Sequence, residues 1–125
     1  MEYADYAQFL GSELVMVKSP INGVLIFKVL RKDEFLPVKT VRFQQNILDN
    51  VSNFSMVNQY LLAGGSQGEV HVQEMRATGN PAKTHGVMKE GTAMHMVEGC
   101  IAHDEMVVAG VNRASAFVGL QCIKL

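Results

Sequence analysis

"YLLAGGSQGEVHVQEM", Tyr60 to Met75, admits two readings that lead to different proteins. Gly64-Gly65-Ser66-Gln67-Gly68 carries the G-x-S-x-G spacing of a hydrolase nucleophile elbow, yet the same residues suit a glycine turn between two strands. The residues after Ser66 discriminate. An elbow runs from strand through a sharp turn into a helix. Here Val70 and Val72 alternate with His71 and Gln73, the period-2 mark of a strand. Glycines beside a turn answer a backbone need, since Gly adopts positive φ readily. Ser66 is therefore expected in a turn. Val70 and Val72 are expected on one packed layer, with His71 and Gln73 on the other side or in solvent. The alternative, a small serine hydrolase using Ser66, draws on His85, His95 and His103 downstream, with Glu90 or Glu98 to orient one of them. A hydrolase sheet with its covering helices usually needs more than 125 residues.

Outward from this stretch, apolar residues fall in short runs rich in Val, Ile, Leu and Phe, separated by turn residues. The runs predict strands at Glu13–Val17, Val24–Leu30, Pro37–Phe43, Ile47–Phe54, Gln59–Ala63, Glu69–Met75, Thr92–Cys100, Glu105–Ala109 and Ala116–Ile123. A weaker segment lies near Lys83–Met88. Turns are expected at Asn22-Gly23, Lys32-Asp33, Gly79-Asn80-Pro81 and Lys89-Glu90-Gly91. Tyr3, Tyr6, Ala7 and Leu10 fall at i, i+3, i+4 and i+7, which predicts a helix over Tyr3–Leu10; an amino-terminal strand is the alternative.

The chain also repeats itself. A 45-residue shift lays Leu14–Val29 over Gln59–Glu74, so that Gly23 meets Gly68, Leu25 meets Val70 and Phe27 meets Val72; Phe9 meets Phe54 in the same frame. A 46-residue shift lays Asn46–Gly65 over Thr92–Val111, matching Val51 to Val97, Leu62 to Val108 and Gly64 to Gly110, and carries Val72 onto Val118. Three copies span about residues 1–45, 46–91 and 92–125, and the expectation is one domain, 1–125. A period near 45 with about four short strands is the signature of propeller blades. On period and strand pattern the chain resembles the WD-repeat β-propellers. It departs from them where Gln73-Glu74, Lys28-Val29 and Gly119-Leu120 stand in place of the Trp-Asp pair, and Thr84-His85-Gly86 reverses the Gly-His order.

Composition excludes several classes. Lys and Arg total 11 against 12 Asp and Glu, a net charge of −1, with no basic run to suit a nucleic acid. No apolar run approaches the roughly 20 residues that cross a bilayer. Cys100 and Cys122 make no disulfide framework, and no basic-then-apolar leader is apparent, so a reducing, cytoplasmic setting is expected. His95, Cys100 and His103 are zinc-binding types, but they lack paired spacing and a fourth ligand. On a strand, His95 and Cys100 would also point to opposite faces. Neither metal nor cofactor is expected. The eight methionines are scattered, as gap-fillers in a core are. Lys83 to Lys89 is too sparse for a basic patch. A sugar-binding propeller would want Trp or Tyr for stacking, and the chain has no Trp, only Tyr3, Tyr6 and Tyr60.

The sequence thus points to an all-β chain of antiparallel four-stranded, propeller-like repeats, serving as a non-catalytic protein-interaction module or scaffold. The alternative is a small α/β regulator of the roadblock or profilin kind, with Gln45–Met56 as a helix. The third copy reaches Leu125 just after its third strand, which leaves a strand edge unpaired. A homo-oligomer, or completion by a second chain, is the expectation.

Overall fold

The computed structural model describes residues 6–10, 13–19, 23–31, 34–41, 51–75, 82–114 and 117–125. They form eleven strands and three antiparallel sheets, with no helix among the described residues. The chain divides into two compact units, Met1–Asp49 and Asn50–Leu125.

The first unit holds one up-and-down sheet of β1 (Tyr6–Leu10), β2 (Leu14–Ser19), β3 (Gly23–Arg31) and β4 (Glu34–Val41), paired in chain order. Tyr6–Leu10 is a strand, not the expected helix. Its five residues pair with β2 from Tyr6 opposite Lys18 to Leu10 opposite Leu14. The helical spacing reached back to Tyr3, and residues 3–5 lie outside the described residues. Pairing with β2 gives all five residues cross-strand partners, whereas a helix this short would be little more than one costly nucleating turn with most of its N–H and C=O groups unpaired. β4 begins at Glu34, earlier than the expected Pro37, and residues 42–43 lie outside the description. A register shift between Ile26 and Phe27 against Pro37 accommodates a residue that has no N–H.

The second unit contains two sheets. The first is β5 (Val51–Val57), β6 (Tyr60–Gly65), β7 (Glu69–Glu74) and β8 (Lys83–Gly86). The second is β9 (Met96–Ala102), β10 (Glu105–Asn112) and β11 (Phe117–Lys124). Both run up and down in chain order. The helix that the α/β alternative required over Gln45–Met56 is overturned where it is described, because Val51–Met56 belongs to β5. Leu62, Val70 and Val72 on one sheet share a core with Val97, Met106, Val108 and Ile123 on the other. Gly99 sits against this layer, where an added Cβ would meet Leu62 and Val57 at 2.9 Å. A side chain there would push the sheets apart, so glycine on one sheet admits leucine and valine from the other.

The strand registers sharpen the repeat. Leu14 pairs with Lys28, and 46 residues later Tyr60 pairs with Glu74; likewise Lys18 with Val24 and Gly64 with Val70. The frame for the first two copies is thus 46 residues, not the 45 on which the glycines align. One residue matters because it exchanges the two faces of a strand. In the true frame Val24 and Ile26 correspond to Val70 and Val72, and all four are buried, whereas Leu25 and Phe27 lie on the opposite face, half-exposed. Met16, Leu62 and Val108, spaced by 46, occupy the second strand of each sheet, and all three are fully buried.

Candidate functional site

Ser66 lies in the turn between β6 and β7, followed directly by a strand. Gly68 closes that turn with φ +87. The chain between β8 and β9 folds over it. The N–H groups of Val87 and Met88 both donate to Gly68 O at 3.0 Å, Gly91 N–H to Gln67 O at 3.2 Å, and Met94 N–H to Gly65 O at 3.0 Å. The Asn53 and Asn112 amides donate to Met94 O at 2.6 Å and Ala93 O at 2.7 Å. These bonds explain why Thr92–His95, expected to open a strand, is a loop: its backbone groups are engaged by a turn and two side chains, and β9 starts only at Met96. No hydrogen bond joins Ser66 to a histidine among the described residues.

The alternation along β7 holds: Val70 and Val72 share one face, and His71 and Gln73 lie on the other side, where they too are buried. Phe54, Leu61 and Ala63 share their face of the β5–β8 sheet and are buried too, so this sheet is covered on both sides. His71 meets the demands of burial through neighbours. Its Nδ1 lies 2.8 Å from Thr84 Oγ1, on the paired residue of β8, and its Nε2 lies 3.6 Å from Glu69 Oε1. A neutral ring with Nε2–H toward Glu69 accepts the Thr84 hydroxyl at Nδ1. Burial lowers the His71 pKa below its ordinary 6.5, and the Glu69 carboxylate partly offsets this. Glu69 Oε2 also accepts Gln67 N–H at 3.0 Å, tying the carboxylate back to the turn.

At the opposite end of the same two sheets a cleft of about 440 Å³ opens. Val72, Ile123, Leu125 and the Tyr60 ring supply apolar wall; Lys83, Lys124, His85 and Glu74 supply charge and hydrogen bonding. Its volume lies within the range of ligand sites, and the mix of apolar wall with a few polar groups is typical of them. Two lysines against one carboxylate favour an anionic group beside an apolar one. His85 Nε2 is buried with no hydrogen-bond partner among the described residues.

The other residues singled out in the sequence do not converge. His95 is exposed and accepts Arg113 N–H at Nδ1, 3.0 Å away. His103 occupies an exposed turn with φ +58. Glu90 lies in an exposed turn, and exposed Glu98 accepts the Ser55 hydroxyl at 3.2 Å. Cys100 and Cys122 are free and exposed. Both stand opposite Val107, on either side of the central strand β10. Cys122 Sγ–H donates to Glu105 Oε2 at 3.1 Å, which raises the thiol pKa. Among the described residues no three His, Cys, Asp or Glu side chains group to hold a metal ion, and no helix is long and apolar enough to cross a membrane. Sequence reasoning named His85 but missed the cleft, whose lining comes from four separate segments of the chain; it also missed the Glu69, His71 and Thr84 network. The alternate spacing of Glu69 and His71 was the one local signal of a shared face. The chain matches no known protein family and no curated protein.

Proposed function

We propose that this chain is a non-catalytic protein-interaction module of the propeller type, its three sheets acting as successive blades, and that the cleft between the last two receives an extended segment of a partner protein. The observation that carries the reading is the repeat of the buried position at Met16, Leu62 and Val108, each on the second strand of an up-and-down sheet. The cleft supplies the chemistry: an acidic group of the partner meets Lys83 and Lys124 while an apolar side chain lies on Val72 and Ile123.

The test is peptide display against the native chain and against a Lys83→Glu, Lys124→Glu double variant. Both lysines are exposed, so the fold should survive the exchange. The expected result is enrichment of peptides that pair an acidic residue with a large apolar one, lost in the double variant. Equal recovery by both proteins, or none above a scrambled library, would defeat the reading.

A further inference from the structure

β8 is an edge strand: among the described residues it pairs with β7 alone, from Glu69 opposite Gly86 to Val72 opposite Lys83. The hydrogen bonds around it fix which way its backbone groups point. In an antiparallel ladder, opposed residues alternate between pairs that exchange N–H···O bonds and pairs that do not. Just beyond β8, Val87 N–H donates to Gly68 O. Bonded pairs recur every second residue, so Val70 bonds with His85 and Val72 with Lys83. The other side of β7 agrees. Met75 N–H donates to Gln59 O, which turns the backbone of His71 and Gln73 toward β6 and leaves that of Val70 and Val72 to β8. The N–H and C=O groups of Thr84 and Gly86 therefore point away from β7, and both residues are exposed. A row of such groups is a template for another strand.

The same edge borders the cleft. Opposed residues share a face, so the Lys83 and His85 side chains stand on the side of Val70 and Val72, and both line the cleft with Ile123 and Lys124. β5, the other edge of this sheet, lines no part of it, and its pairing with β6 slips between Val51 and Asn53. We infer that the partner segment enters as a fifth strand on β8, bonding the outward groups of Thr84 and Gly86, and that it carries an acidic and a large apolar residue two places apart; this mode of binding rests on the role proposed for the cleft. Alternation sets the spacing, because only residues two apart on an added strand face the cleft together. Charge selects the acid. The lining holds Lys83 and Lys124 against one carboxylate, Glu74, and neither lysine has an ion pair among the described residues. A lysine on an open edge deters indiscriminate pairing, and a carboxylate on the incoming strand lifts that barrier. Strand addition draws affinity from the main chain and specificity from alternate side chains.

The probe is an end-capped heptapeptide in which threonines alternate with valine, glutamate and valine, titrated into the full chain. Gly86→Pro removes one outward N–H and leaves the bonds to β7 in place; an added Cβ there meets nothing within 4 Å, and edge strands accept proline where the N–H faces outward. Gly86→Ala keeps the N–H and serves as control, with urea midpoints verifying that both variants fold. Wild type and Gly86→Ala are expected to bind alike, and Gly86→Pro about tenfold more weakly, the effect of one lost hydrogen bond with its acceptor left unpaired. A second measurement needs no variant. Two peptides with the same side chains carry backbone N-methyl groups, one on its threonines, the other on the residues between. A strand turns alternate N–H groups to its neighbour, so one peptide loses binding and the other keeps it. Moving the glutamate one place, so that it and the valines face opposite ways, weakens binding about tenfold, and equal binding overturns the spacing. Full binding by Gly86→Pro, or equal binding by the two methylated peptides, overturns strand addition but spares the cleft if the Lys83→Glu, Lys124→Glu variant still loses the peptide. Binding indifferent to the two lysines, or no binding at all, overturns both.

Discussion

Replacing Gly68 by alanine tests how the turn and the loop that follows β8 support each other. Gly68 has φ +87, a left-handed conformation that costs an L-residue about 1–2 kcal/mol. The added Cβ would also meet the carbonyl oxygens of Lys89 and Met88, both at 2.8 Å. Those atoms are backbone, so relief requires the loop to move. Movement weakens the bonds from Val87 and Met88 N–H to Gly68 O, each worth about 0.5–1.5 kcal/mol net. The total loss is roughly 3 kcal/mol. Gly91 provides the control, because it has nearly the same φ, +86, and open space where its Cβ would go. Gly91→Ala therefore pays for conformation alone, about 1 kcal/mol. Urea unfolding reads both: with a slope near 1.5 kcal/mol per molar, Gly68→Ala shifts the midpoint by about 2 M and Gly91→Ala by well under 1 M. Equal shifts would refute the packing of the loop on the turn.

Leu62→Ala is expected to destabilise the protein by about 3 kcal/mol, since Leu62 fills the layer between two sheets, while Leu120→Ala changes thermal stability little in the dilute chain. His71 makes stability depend on pH. Its folded pKa lies below 6.5, so the unfolded chain takes up the proton first, and stability is full above pH 6.5 and falls as pH drops through the folded pKa. His71→Gln should flatten that part of a urea-midpoint profile, and an unchanged slope would place its origin elsewhere. Ser66→Ala should leave stability unaltered, and a fluorophosphonate probe should fail to label the native chain; labelling that Ser66→Ala removes would revive the hydrolase reading.

The sequence by itself determined that the chain is all-β, most strand positions, and the turn around Ser66. Short Val- and Ile-rich runs and the glycines between them act through backbone sterics and alternation, which are local. Tertiary structure decided what local pattern left degenerate. Tyr6–Leu10 suited either helix or strand until β2 supplied hydrogen-bond partners. The continuous apolar run of β3 concealed which of Val24 and Leu25 faces the core, and only the pairing with β2 fixed a 46-residue frame. Alternation put His71 on the face opposite Val70 and Val72 but left open whether that face is buried; Thr84 and Glu69 offset the cost of burial from positions that strand pairing brings close. The cleft was invisible for the same reason: Tyr60, Glu74, Lys83 and Leu125 are distant along the chain, and a cavity arises from how two sheets diverge, a property of packing that no single segment encodes.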